Sequence, residues 1–302
     1  MYYYSLNEYL KDEFGEKLYK ISLNGNMTCP NRDGTLGNRG CIFCSAGGSG
    51  DFAPNGSMTL DAQIENAKAR VKGKFSGDKY IAYFQAYTNT YAPTQYLKEL
   101  FEKVIQRDDI AALSIATRPD CLPDDVLELI AKLNEKKPVW VELGLQTANE
   151  NTAMYIRRGY TNTCFEYAVK RLNEIGVHIV THIILGLPGE SEQDMLDTVC
   201  YVAHCGTHGV KIQLLHILKN TDLLNDYQSG SFKALTMEQY IDLLAKCIEY
   251  LPPNMVVHRI TGDGPKNLLV APLWSADKKK VLNSINAEFK RRDITQGRLY
   301  ST

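Results

Sequence analysis

The sequence predicts an α/β fold, a partial TIM-type (β/α)6 barrel followed by a C-terminal α/β extension. Three observations carry this: β-branched and aromatic runs alternate with amphipathic stretches, those stretches carry helix start and stop signals, and the connections have the length of βαβ crossovers. Such units give right-handed crossovers and a parallel sheet, with a fully or partly closed barrel and a doubly wound open sheet as the two candidate arrangements. A chain of 302 residues can form either as a single unit. The division expected is a barrel over residues 1–220 and a packed extension over 221–302.

The expected strands are 18–23, 80–85, 112–117, 139–146, 178–185 and 211–218, with a seventh candidate at 256–260. The helix over 60–72 follows the first strand, and those over 93–106 and 123–136 each open on a proline, whose fixed φ suits the first turn. Thr161 caps a helix over 162–175 that Gly176 stops, and Ser191 caps one over 192–205 that Gly206 stops. Thr236 and Gln239 form a capping box for a helix reaching about residue 250, and Ser275 is the expected cap of a last helix to about 292.

Apolar residues at 44% and charged residues at 23% are ordinary for a globular chain, and a formal charge of −1 argues against a uniformly basic nucleic-acid binder. The acidic residues Glu8, Asp12, Glu13 and Glu16, with no apolar stretch among them, do not read as a signal peptide. Apolar runs such as 267–274 are too short for a membrane span, so the expected location is cytoplasmic, with no membrane partner. In that compartment clustered cysteines are read first as metal ligands.

Three of the eight cysteines are clustered: Cys29, Cys41 and Cys44 lie in one glycine-rich loop, residues 26–50, directly after the first strand. A loop short of long apolar side chains can wrap an iron-sulfur cube, and three thiolates leave one iron free for a small molecule to chelate. A zinc site with a distant fourth ligand is the alternative that the spacing leaves open. The other cysteines are scattered; Cys200 and Cys205, five apart on one helix, point about 140° apart and do not share a metal. Gly262-Asp263-Gly264-Pro265-Lys266 lacks the spacing of a phosphate loop and reads as a turn.

The loop resembles the cluster loop of radical S-adenosylmethionine (SAM) enzymes, with eleven residues in place of the commonest three between the first two cysteines. Cys29-Pro30-Asn31-Arg32-Asp33-Gly34-Thr35 and Gly40-Cys41-Ile42-Phe43-Cys44 resemble the YhcC/YtqA-type members, relatives of the catalytic subunit of Elongator, as does Thr117-Arg118-Pro119-Asp120. The resemblance implies a [4Fe-4S] cluster on the three cysteines, SAM on its free iron, and Phe43 against the adenine. It places Gln146 of Glu142-Leu143-Gly144-Leu145-Gln146-Thr147 in a hydrogen bond to SAM, Arg158 near the SAM carboxylate, and Gln85 near the amino group. The stretch His182-Ile183-Ile184-Leu185-Gly186 would lie along the adenosine, with His182 and Ile184 as contacts; His182 stands where porphyrin-directed relatives have Asp.

The resemblance further implies activity on tRNA, at the wobble uridine of the anticodon, converting a carboxymethylaminomethyl group to aminomethyl, with flavodoxin or ferredoxin as one-electron donor and no DNA partner. Lys219, Arg259, Lys279 and Arg291 are candidate phosphate contacts. A run of basic residues on a last helix is equally the pattern of a solvated face. Two other readings stand beside this one: a radical SAM enzyme for a small molecule or protein, and a non-enzymatic iron-sulfur or zinc binding module.

Overall fold

The computed structural model describes every residue except Met1, Ser49, Phe52, Lys74, Ser76 and Thr302, so Ser49 of the cysteine loop lies outside the described residues. The strands are β1 (Tyr19–Leu23), β2 (Tyr80–Phe84), β3 (Ile110–Thr117), β4 (Val139–Gln146), β5 (His178–Leu185), β6 (Gly209–Leu214), β7 (Ile217–Leu218), β8 (Val256–Arg259) and β9 (Leu269–Ala271). Seven of them form one parallel sheet in the order β1-β2-β3-β4-β5-β6-β8. Each crossover therefore moves one place the same way. With right-handed crossovers this keeps the helices on one face and curls the sheet, whereas a doubly wound sheet reverses its strand order. The result is a curled half-barrel of seven strands, one more than the six-unit barrel expected, the seventh coming from residues 256–259.

Around it run α2 (Leu60–Val71), α3 (Thr94–Ile105), α4 (Asp124–Asn134), α6 (Asn162–Glu174), α7 (Glu192–His204) and α9 (Met237–Tyr250). Their apolar stripes, such as Leu97, Phe101 and Val104 of α3, bury against outward strand residues including Leu113, Ile115, Val141 and Leu143. The caps read from sequence form: Thr161 accepts from the Cys164 N–H, and Ser191/Asp194 and Thr236/Gln239 make capping boxes. The last helix, α10 (Lys278–Arg292), is capped by Asp277 rather than Ser275, because residues 273–276 are taken up by a 3-10 turn.

The expected strand over 211–218 breaks in two. After β6 the Leu215 N–H still bonds the Leu185 carbonyl at 3.0 Å, but the chain then leaves the sheet and β7 pairs antiparallel with β9. The His216 ring fills the bend and is packed by Gly262 and Gly264, where a Cβ would come within 2.7 and 3.1 Å of it. That close approach is what the glycines of the 262–266 turn are for.

Helix α1 (Leu6–Phe14), with a Ser5/Glu8 capping box and a left-handed Gly15 at its end, closes the N-terminal end of the half-barrel. Leu10 packs with Ile81, Ala112 and Trp140, and the Tyr9 ring lies 5.8 Å from Trp140 and 5.0 Å from His178. Trp140 also meets His258 at 5.4 Å and is 1% exposed. Trp140→Ala would remove this plug and leave a cavity; the expected cost is about 3–5 kcal/mol, read as a lower urea midpoint. An unchanged midpoint would show that α1 does not depend on this ring. The opposite, C-terminal end of the strands is open, and there the cysteine loop sits.

Candidate active site in the half-barrel

The cysteine loop is fastened to the barrel by its own polar residues. Asn31 donates from Nδ2 to the carbonyls of Arg157 at 2.7 Å and Arg158 at 3.2 Å, and lies 3.5 Å from the Cys41 sulfur. The Gly40 N–H bonds the Asn31 carbonyl at 2.7 Å, and Arg32 donates to the carbonyls of Cys44 and Ser45 at 3.0 and 2.6 Å. Gly159, with φ +85°, lies under this anchor, and a Cβ there would fall 2.8 Å from the Asn31 side-chain oxygen. Thus the long interval between Cys29 and Cys41 is an ordered strap tied to the segment after β4.

The strap presents Cys29, Cys41 and Cys44 to one cavity of about 540 Å³ that runs down the inside of the half-barrel. Phe43, Gln85, Gln146, Arg158, His182, Ile184 and Arg259 line the same cavity. Gln146 sits at a register shift between β4 and β5 with φ +70°, a bulge at the rim of the sheet, and Gln85 donates to the Ser22 hydroxyl at 2.8 Å. Ile184 joins Ile42, Leu187, Leu215 and Ile217 in a small apolar cluster against which Phe43 packs. Lys219 and Lys279 are exposed and outside the cavity lining. Arg291 pairs with Glu288, thirteen residues and so ~20 Å along α10 from Lys278, whose ammonium bonds Asp263 at the cavity rim.

Arg158 reaches the cavity wall with most of its donors engaged. Nε bonds the Tyr160 carbonyl at 2.9 Å, one terminal nitrogen bonds the carbonyls of Leu145 and Thr147 at 3.2 and 2.7 Å and Asn162 Oδ1 at 3.1 Å, and the other bonds Glu150 at 3.1 Å. At 1% exposure it ties the end of β4 to α6 and to the short helix α5 (Glu150–Tyr155). This structural task stands beside its place in the cavity lining, where the resemblance puts it near the SAM carboxylate.

Deeper in the cavity lies a charged cluster that the sequence did not reveal. Glu142 of β4 is fully buried. One oxygen accepts from Lys20 and Ser114, both at 2.6 Å; the other accepts from His182 at 2.7 Å and from Lys211. The Tyr83 ring lies 4.9 Å from the Lys20 ammonium and 4.5 Å from that of Lys211. Against the penalty of burial, Lys20 and Lys211 hold the Glu142 carboxyl well below its usual range. Burial lowers Lys211 to about 7 despite Glu142, with Lys20 and Arg259 adding to the shift. Burial likewise lowers His182 to about 4, so it is a neutral ring that donates to Glu142, which turns it down into the barrel.

The comparisons with known proteins decide the family. Residues 34–201 match the radical SAM superfamily and residues 207–291 match its C-terminal domain. The chain belongs to the radical SAM superfamily. It is 47% identical over 298 residues to the uncharacterized protein YtqA of Bacillus subtilis, covering 99% of this chain and 92% of YtqA. It is 34% identical over 270 residues to protein YhcC of Escherichia coli K12, covering 89% of this chain and 86% of YhcC. Among solved structures, the archaeal Methanocaldococcus infernus Elp3 superposes with a TM-score of 0.69 at 17% identity, over 92% of this chain and 64% of that one, which shows a shared fold.

Radical SAM proteins bind SAM and a [4Fe-4S] cluster, and the cavity can be tested against both. Arg32 and Arg118 stand beside the cysteines as positive charges; burial pushes the Cys41 thiol up to about 12, and Arg118 opposes that shift. A zinc ion requires its ligands around one centre. Among the described residues no group of three or more His, Cys, Asp or Glu side chains is placed to share one ion. Polar Gln85 and Gln146 beside the apolar Phe43 and Ile184 give the mixed lining that an amino acid joined to a nucleoside needs. The residues fit.

Proposed function

We propose that this radical SAM protein holds a [4Fe-4S] cluster on Cys29, Cys41 and Cys44 and acts on the wobble uridine of tRNA, converting a carboxymethylaminomethyl group to aminomethyl. The observation that carries the enzymatic part is the strap that brings the three cysteines to the head of a cavity with a built polar interior. When bound and supplied with one electron, the cluster and SAM would provide hydrogen-abstraction chemistry at a substrate carbon. The chain's own residues do the rest. Gln85 and Gln146 orient SAM by hydrogen bonds, Phe43 and Ile184 cover its apolar face, and the α1 plug under Trp140 closes the inner end against water.

The tRNA part is supported by the resemblance to the Elongator catalytic subunit. A more distant relative, the tRNA-2-methylthio-N(6)-dimethylallyladenosine synthase of Fusobacterium nucleatum, is 26% identical over 251 residues, 79% of this chain and 57% of that protein. On this reading hydrogen is taken from the methylene between nitrogen and carboxylate, the carbon radical gives up one electron to the oxidised carrier and becomes an imine, and water cleaves the imine to the aminomethyl group and glyoxylate; a flavodoxin or ferredoxin supplies the initiating electron, and Arg259 at the rim with Lys219 and Lys279 outside it meets the RNA backbone. Location in the cytoplasm, where tRNA is, belongs to the same reading.

Nucleoside analysis of tRNA from a deletion strain tests it. The carboxymethylaminomethyl form accumulates and the aminomethyl form disappears; unchanged levels of both would refute the assignment. Asn31→Ala tests the strap. It removes the anchoring amide, and the expected result is purified protein with several-fold less iron and sulfide but a stability loss of only about 1–3 kcal/mol. Full iron content in that variant would show that the strap is held by its backbone alone.

A further inference from the structure

The cluster below the cysteines has more positive charge than it can use. Lys20, Lys211 and Arg259 face the interior or its rim with Glu142 as the one buried carboxylate among them, and the Asp263 carboxylate near Arg259 is shared with Lys278. Both oxygens of Glu142 are filled, each by two donors. Among the described residues Glu142 is the one hydrogen-bond acceptor given to the Lys211 ammonium, which has three N–H groups, and its other neighbour is the face of the Tyr83 ring. Beside it His258 lines the same cavity with both ring nitrogens buried and without a partner. Buried cations without a full set of acceptors and an orphaned imidazole are costly arrangements unless something else fills the space.

We infer that Lys211, supported by His258, receives a carboxylate carried on the substrate's reacting side chain. This deepens the proposed function and rests on it for the identity of the side chain, the carboxymethyl group of the modified uridine. The depth of Lys211, 6% exposed, selects the occupant: a phosphodiester stays with the RNA backbone, whereas the end of a side chain on an extruded base can reach inside. A carboxylate there completes the donors of Lys211 and offsets the second ammonium facing Glu142. It holds the methylene next to it in the same cavity as the cysteines.

The receptor is sensitive to pH. The groups facing Lys211 are Lys20, Tyr83, Glu142, His182, His258 and Arg259, and of these His182 is already neutral above about 4. With Lys211 itself lowered to about 7, the carboxylate brings a proton with it above that pH. Preference for the carboxylate is therefore level below pH 7 and falls as pH rises toward 9.

Two anticodon stem-loop RNAs, bearing carboxymethylaminomethyluridine or aminomethyluridine at the wobble position, test the inference by titration against the cluster-loaded protein at pH 7. Wild type prefers the carboxylate-bearing RNA roughly tenfold or more. Lys211→Met brings the ratio close to one with the aminomethyl RNA bound as before, and Lys211→Arg restores the preference. A Lys211→Met protein that keeps the preference overturns the inference. A second readout needs no RNA: reductive methylation of Lys211, followed by peptide mass spectrometry with Lys219 as reference, is slowed by N-methylglycine in the wild type. Protection without discrimination between the RNAs leaves the receptor standing and removes the uridine reading. Absence of both overturns the receptor.

Discussion

Cys41→Ser reduces 5′-deoxyadenosine formation from SAM by ~100-fold or more and lowers the iron and sulfide bound per chain. The expectation follows from what holds Cys41 in place. Its sulfur lies 3.5 Å from the Asn31 amide and 3.6 Å from the Arg157 carbonyl, and the Cys44 N–H bonds its own carbonyl at 3.0 Å. The serine hydroxyl fits that space, so the strap keeps its shape while the soft thiolate that iron requires is gone. The effect thus separates ligand loss from misfolding. Cys44→Ser gives the same result, because three ligands are the least that leave a single iron open to SAM. Cys121 is the internal control: it is buried in the 3-10 turn that follows β3, and Cys121→Ser leaves SAM cleavage intact. A Cys41→Ser protein that cleaves SAM at the wild-type rate would refute the cluster assignment.

Glu142→Gln lowers stability by about 3–5 kcal/mol, as much as loss of the Trp140 ring. The amide occupies the same volume but is neutral, and its NH2 group faces donors where a carboxylate oxygen accepted. Lys20 and Lys211 then lie in the interior without a counter-ion. The pH dependence has a definite sign. Glu142 has a folded-state pKa below its unfolded value, so its contribution is present above the ordinary carboxylate range and is lost as pH falls. Lys211 has a folded-state value of about 7 against an ordinary 10.5, so the folded chain binds fewer protons there and stability rises with pH between these values. Without Glu142 both amines are pushed down further. The deficit of Glu142→Gln is therefore largest near pH 6 and narrows toward pH 9, which urea unfolding under anaerobic conditions measures. A deficit that widens with pH would contradict the network as described.

These two sites were unequally legible in the sequence. Cys29, Cys41 and Cys44 lie within sixteen residues, and a local pattern is enough to find them. Lys20, Ser114, Glu142, His182 and Lys211 come from five different strands, and only closure of the sheet makes them neighbours. A lysine such as Lys211 between Val210 and Ile212 is a visible sign of an inward polar position, but alternation names the face and not the partner. The same limit applies to Arg158, whose five partners are mostly backbone carbonyls and leave no trace in side-chain chemistry.

For the fold, the long helices were legible because caps and periodicity agreed, as at Thr161 and Ser191. Helices α1, α5 and α8 (Asp222–Gln228), of nine, six and seven residues, were missed because so few turns give little periodicity. The Ser5/Glu8 capping box of α1 was a signal available in a stretch read only for its acidity. The break after Leu214 was hidden because Leu215 and Ile217 continue the apolar pattern of β6 while serving a different pair of strands.

The central claim is most directly tested by incubating the anaerobically reconstituted protein with SAM, a one-electron reductant and tRNA bearing carboxymethylaminomethyluridine, then digesting the RNA and weighing its nucleosides. The account predicts aminomethyluridine appearing together with 5′-deoxyadenosine, neither formed by the Cys41→Ser protein. Cleavage of SAM with the wobble nucleoside unchanged would contradict it.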